Sequence, residues 1–133
     1  MSLLLDTHVW IWSQVEPHRI GPKAMRRLEK AGERLFVATI SSLEIARLVQ
    51  VGLLELNGDL EAWIEDSIEA LQGSSIGLSH QAAIGAYRLP GSFHKDPADR
   101  VLVAIAREHQ LTLVTADERI LNYRHVNALK ATS

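Results

Sequence analysis

The chain contains no cysteine, which excludes disulfides, thiolate nucleophiles and cysteine-type zinc sites and leaves stability to packing. That absence suits a reducing compartment. No apolar run approaches the ~20 residues a membrane helix requires, so a membrane-spanning role is excluded and a cytoplasmic protein is expected. The opening Met-Ser-Leu-Leu-Leu-Asp has no basic leader, no long apolar stretch and no small-residue cleavage site, so nothing is expected to be removed and the first strand begins almost at once. Positive charge is not in excess either. With a formal net charge of −2, a nucleic-acid ligand would have to be held by local basic residues or by bound cations. Six histidines are present, but none has the H-x-x-x-H or H-E-x-x-H spacing that places a zinc site on one helix.

What is there is ordinary in amount and informative in order. The 133 residues, 47% apolar and 23% charged, fit one soluble domain with a core of its own, residues 1–133. Leu3 to Leu5 reads as a strand, and Thr7 can cap a helix through Val9 to Val15 that Pro17 closes. Gly21-Pro22 opens a helix over Lys23 to Lys30, with Gly32 as its stop. Leu35 to Ile40 is the next strand. Ser41 and Glu44 then match the S-x-x-E capping box before Ile45, Leu48 and Val49, and Gly52 marks the end of that helix.

Asp59 caps a helix over Leu60 to Leu71, Gly73-Ser74-Ser75 breaks it, and Ile76 to Leu78 is a short strand. Ser79 opens a helix to about Arg88, and Pro90 to Lys95 is the most polar loop, of the kind that edges active sites. Asp96-Pro97 starts a helix over Ala98 to His109 with Val101, Leu102, Ile105 and Ala106 inside. Leu111 to Thr115 is a strand, Asp117 caps a short helix to about Tyr123, and Val126 to Leu129 supplies a last edge strand. Strands alternating with helices, without repeats, specify an α/β fold: a three-layer α/β/α sandwich around a parallel sheet of about five strands.

In such a sheet the strand-to-helix junctions lie along one edge, and Asp6, Glu44, Asp99 and Asp117 all stand at such junctions or at helix starts. Each has a plain alternative: Glu44 as the return arm of the capping box, Asp96 and Asp117 as N-caps, Asp99 as a first-turn charge. Asp6 is the exception. It ends a strand of leucines, where a buried charge is costly unless a cation or hydrogen bonds compensate it. Carboxylates gathered at one rim repel and call for a divalent cation, and an oxygen donor set suits Mg²⁺ or Mn²⁺ better than zinc. Such an ion activates water toward phosphorus, so phosphodiester hydrolysis is the expected reaction class.

Taken together, Leu-Leu-Leu-Asp6-Thr-His, Ser42-Leu-Glu44-Ile-Ala, His94-Lys-Asp96-Pro-Ala-Asp99-Arg100-Val-Leu-Val-Ala and Leu113-Val-Thr115-Ala-Asp117 resemble a PIN-domain ribonuclease of the VapC toxin type over nearly the whole chain. The resemblance implies a strand order of 3-2-1-4-5, metal-dependent cleavage of RNA, a homodimer, and neutralisation by a small antitoxin encoded beside the toxin. It makes Asp6, Glu44 and Asp99 the core Mg²⁺ ligands and Asp117 the fourth acid, with Mn²⁺ as a substitute ion. Asp96 is assigned mainly to capping and orienting the loop, with an outer-shell role at the ion as its alternative, and Thr115 matches the family's active-site hydroxyl, with a plain strand threonine as its alternative. His94, Lys95, Arg100 and Arg47 are candidate RNA contacts, with Arg100 alternatively pairing with Asp96 or Glu44.

The sequence departs from that subgroup at Leu43, where tryptophan is common, at Arg47, where lysine is common, and at Ala98, where phenylalanine is frequent. None of these removes a ligand, so pocket shape and substrate choice are what they affect. Trp10, Trp12 and Trp63 are read as core, with an antitoxin or dimer contact as the less favoured alternative. Two other readings compete. An aspartyl-phosphate phosphotransfer domain would need a second acid beside Asp6 and a lysine ending a strand, and a non-catalytic binding module would lack a ligand; neither feature is found.

Overall fold

The structure is a computed structural model describing residues 2–31 and 34–133. Its first strand, β1 (Leu3–Leu5), is three leucines with almost no exposure. Side chains alternate across a strand, so Leu3 and Leu5 leave one face and Leu4 the other, and both faces need a covering layer. The chain supplies it with α1 (Thr7–Val15), α2 (Pro22–Ala31), β2 (Leu35–Ala38), α3 (Thr39–Gln50), α4 (Leu60–Leu71), β3 (Ser74–Ile76), α5 (His80–Gly85), α6 (Pro97–His109), β4 (Thr112–Thr115), α7 (Glu118–Leu121) and β5 (Ala128–Lys130). The sheet has five strands in the order β3-β2-β1-β4-β5, every pair parallel. This is the 3-2-1-4-5 order that the resemblance implied.

The alternation divides the interior in two. Leu3, Leu5, Leu35, Val37 and Val114 meet Val9 and Trp10 of α1, Leu28 of α2 and Ile45 of α3, while Trp63, Ile64, Ile68 and Leu71 of α4 pack from outside. On the other face Leu4, Ala38 and Leu113 meet Ala82, Ala86, Ile120, Tyr123 and the apolar stripe of α6 from Val101 to Ala106. Burial of each strand leucine contributes roughly 1.5–3 kcal/mol, so β1 is both the centre of the sheet and its strongest anchor. The strand order reverses between β1 and β4, and in a parallel sheet the crevice beyond the carboxyl ends of two such strands is where ligands bind. Asp6 and Thr115 stand at that crevice. No helix of the described residues is long and apolar enough to cross a membrane.

Several boundaries differ from the sequence expectation, each for a physical reason. α3 begins at Thr39 with Ala38 as N-cap, so Ser41 and Glu44 already lie inside the helix and the expected capping box does not form. Thr7 likewise does not cap α1; Asp6 occupies that place, without the usual side-chain cap hydrogen bond. β3 starts at Ser74 rather than Ile76, because Gly73 lies so close to Leu35 that a Cβ there would fall 2.9 Å from its carbonyl oxygen, which starts the pairing at once. β5 runs over Ala128–Lys130, two residues later than expected at its start, and α5 closes at Gly85 before a further turn. The expected stop of α2 at Gly32 lies outside the described residues.

α3 ends as its glycine suggests: Gly52 has φ 79°, its N–H donates to Val49 and that of Leu53 to Leu48. The same left-handed turn closes α6 at Gln110, φ 55°, with Leu111 N–H donating to the Ala106 carbonyl at 2.8 Å, but here the residue has a Cβ. Gln110→Gly is therefore expected to stabilise the protein by about 0.5–1 kcal/mol. Urea denaturation would register this as a higher midpoint with an unchanged slope.

Candidate active site

Asp6 follows the last leucine of β1 and is only 7% exposed. Desolvation raises its pKa, and the strongest opposing influence is the Thr115 hydroxyl, which donates to Asp6 Oδ2 at 2.6 Å from the end of β4. Thr115 Oγ1 in turn accepts the Asp117 N–H at 3.0 Å, so one hydroxyl fixes the buried carboxylate and the start of the next loop. Thr7 links α1 to α3: its Oγ1 lies 2.5 Å from Glu44 Oε1 and 2.8 Å from the buried Ser41 Oγ. With one hydroxyl proton, Thr7 donates to the carboxylate and receives from Ser41. The pKa of Glu44 is raised, first by burial.

Asp96 caps α6, its Oδ1 accepting the Asp99 N–H at 3.1 Å, and this sets Asp99 in the first turn. Asp99 is pushed up to about 7, by burial above all and then by the charges of Asp6, Asp96, Asp117 and Glu44. These five acids, with Thr7, His8, Trp12, Ala116 and Arg119, line one cavity of about 300 Å³ at the switch point of the sheet. Asp117 behaves oppositely: Arg119 donates to both of its oxygens and holds its pKa down.

His94 stands over this edge. Its Nε2 is 3.0 Å from Asp99 Oδ2, yet that buried atom has no well-directed hydrogen bond. Nδ1 accepts the Asp96 N–H at 3.4 Å, so the neutral ring carries its proton on Nε2. Burial, then the Arg119 charge, keep the His94 pKa low, and the contact is therefore a neutral donor facing Asp99 rather than an ion pair. Ligand atoms of His94, Asp99 and Asp117 lie within 4.8 Å of one another.

A PIN-domain family profile matches residues 3–126. The chain is a PIN domain. It is 38% identical over 124 residues to the Ribonuclease VapC22 of Mycobacterium tuberculosis, covering 93% of each chain. In structure it is similar to DNA-bound VapBC from Salmonella typhimurium, with a TM-score of 0.71, 19% identity and 97% of both chains covered. A VapBC2 structure from Rickettsia felis gives a TM-score of 0.69 at 15% identity, covering 97% of this chain and 98% of that one.

In this PIN domain the cleft collects Asp6, Glu44, Asp96, Asp99 and Asp117, but the basic candidates separate. Arg100 pairs with neither Asp96 nor Glu44: its donors reach the carbonyls of His94, Phe93 and Ala86 at 2.9, 2.8 and 3.0 Å. A guanidinium on three carbonyls ties down the loop before α6. Lys95 is exposed beside the cleft, and Arg47 is exposed on a neighbouring groove of about 610 Å³. Leu43, 66% exposed, and Ala98 line that groove too, so the three departures from the subgroup fall in one place.

Five cleft residues were not singled out as site residues from sequence: Thr7, His8, Trp12, Ala116 and Arg119. Arg119 follows the Asp117 cap by two positions, and His8 and Trp12 are four apart on α1 and so share a face. Trp12 was read as core; Trp10 and Trp63 do pack internally, 5.8 Å apart, whereas Trp12 edges the cleft under the Arg19 guanidinium.

The crowding has a pH signature. Asp99 goes from an ordinary 3.8 to about 7 on folding, so between those values the unfolded chain releases a proton that the fold retains. Metal-free protein therefore loses stability through Asp99 as pH rises across that window, with no further loss above it. Asp99→Asn removes this penalty. Its stability advantage in chelator is expected to be small near pH 4 and on the order of 2 kcal/mol near pH 8, measured by denaturant titration. A pH-independent difference would mean that Asp99 is not crowded.

Proposed function

We propose that this PIN domain is a Mg²⁺-dependent endoribonuclease of the VapC toxin type, restrained by a cognate antitoxin, and that Asp6, Glu44, Asp99 and Asp117 hold the ion. The observation that carries the reading is the charge imbalance of the cleft: five carboxylates line it, and their mutual repulsion with burial pushes Asp99 to about 7. A divalent cation relieves that repulsion. The donor set fits a hard ion, since the five acids lining the cleft offer only oxygen ligands. When bound, such an ion supplies water activation and charge neutralisation at phosphorus.

The protein's own residues prepare that site. Thr115 fixes the orientation of Asp6, Thr7 holds Glu44, and the Asp96 cap sets the first turn of α6 from which Asp99 faces the cleft. Arg100 pins the loop that carries His94, and Lys95 and Arg47 are exposed charges that can meet RNA phosphate. An acidic cleft repels phosphates, so the RNA backbone can enter only when cations offset it. A homodimer in the cytoplasm, with an antitoxin that closes the cleft, completes the proposal; the similarity to Ribonuclease VapC22 and to VapBC assemblies supports it.

The test is incubation of the purified protein with structured and single-stranded RNA in Mg²⁺, in EDTA, and as the Asp6→Asn variant. Cleavage is expected in Mg²⁺ alone, with the variant reduced by at least about a hundredfold. Equal cutting in all three would reveal a contaminating nuclease. Failure to cut any RNA would sink the enzyme reading in favour of a binding module.

A further inference from the structure

The site's acids are not all free to receive a metal. Arg119 Nη2 donates to Asp117 Oδ2 at 2.9 Å and Nε to Oδ1 at 3.2 Å, so one guanidinium forks across both oxygens. The same Nη2 lies 3.8 Å from Asp99 Oδ2, which places its charge against two acids whose ligand atoms come within 4.8 Å of each other. A divalent ion drawing an oxygen from each would compete with this charge for the same carboxylates.

Arg119 is also built to leave. Its side chain is 61% exposed on a flexible stem. α7 does not need the guanidinium, because Asp117 Oδ1 caps the helix through the Arg119 backbone N–H at 2.8 Å. Arg100 offers no such freedom, with its donors on three carbonyls.

We propose that Arg119 is the cleft's resident counter-ion: it holds Asp117 and Asp99 in the metal-free protein, a divalent ion displaces it, and the released guanidinium then binds a phosphate of the RNA beside the cleft. This rests on the metal-dependent nuclease reading above and adds to it an exchange of one cation for another. Binding of the ion and presentation of a phosphate contact become one event. The planar fork that fits a carboxylate also fits a phosphate, so the same group serves both states.

The experiment is calorimetric titration of Mn²⁺ into the full chain and its Arg119→Ala and Arg119→Lys variants near pH 8, where Asp99 is ionised. Arg119→Ala is expected to bind Mn²⁺ about three- to tenfold more tightly, with Arg119→Lys between it and the parent. In an Asp117→Asn background the effect of Arg119→Ala on Mn²⁺ should shrink toward zero, which a merely structural role would not produce. Equal Mn²⁺ affinity in parent and Arg119→Ala would overturn the exchange while leaving the metal site standing; no Mn²⁺ uptake by any of them would overturn the metal reading itself. In saturating Mn²⁺, Arg119→Ala should raise KM for single-stranded RNA with kcat nearly unchanged, and lower the salt exponent of kcat/KM by about one. An unchanged KM and salt exponent would overturn the phosphate contact.

Discussion

A carboxylate at the end of a fully buried strand is the constraint around which the rest of this protein is arranged. Asp6 cannot move to solvent, because Leu3, Leu4 and Leu5 fix β1 between two apolar layers. It cannot easily stay charged either, since burial raises its pKa and the Thr115 hydroxyl offsets only part of that. The parallel sheet then makes matters worse by bringing the starts of α3, α6 and α7 to the same rim, each with its own acid. A fold that served stability alone would replace these groups. Gathered at one cleft they repel one another, which is the strain the proposed divalent ion would relieve.

The local hydrogen bonds divide that burden unequally. Glu44 is steadied by Thr7, Asp6 by Thr115 and Asp117 by Arg119, each through a donor from a different element or turn. Among the described residues the Asp99 side chain meets a poorly aimed His94 nitrogen and the more distant Arg119, and it is pushed to about 7. Burial raises Asp6 and Glu44 as well, and Asp99, with the weakest hydrogen-bonded support, adds to it the repulsion of four neighbouring acids.

Much of this was legible before any coordinates, and for a definable reason. Strand ends and helix starts leave local marks in sequence: the leucines of β1, the Asp96-Pro97 pair and the Ser79 cap are short-range signals that survive into the fold, and the sheet topology converts them into proximity. What failed was also local in appearance but tertiary in cause. Ser41-x-x-Glu44 has the spacing of a capping box, yet α3 starts at Thr39, where β2 leaves the sheet, and both side chains turn to Thr7 instead. The edge strands β3 and β5 shifted because few buried side chains fix their register, whereas β1 and β4, buried on both faces, were found nearly where expected.

The two arginines near the acids show most clearly what spacing alone does not decide. Arg100 is the neighbour of Asp99 in sequence, but a helix turns about 100° per residue, so the residue after a cleft-facing acid points away from the cleft. It meets the carbonyls of Ala86, Phe93 and His94 and becomes part of the scaffold. Arg119 is one residue further from its acid, yet Asp117 is the cap rather than a helical residue, and its side chain reaches out of the axis toward the first-turn amides. A cap and the second helical residue can therefore meet side by side, and the guanidinium returns to the rim. The position of each residue relative to the helix start, more than its distance from an acid, determines which cation serves the fold and which faces the cleft.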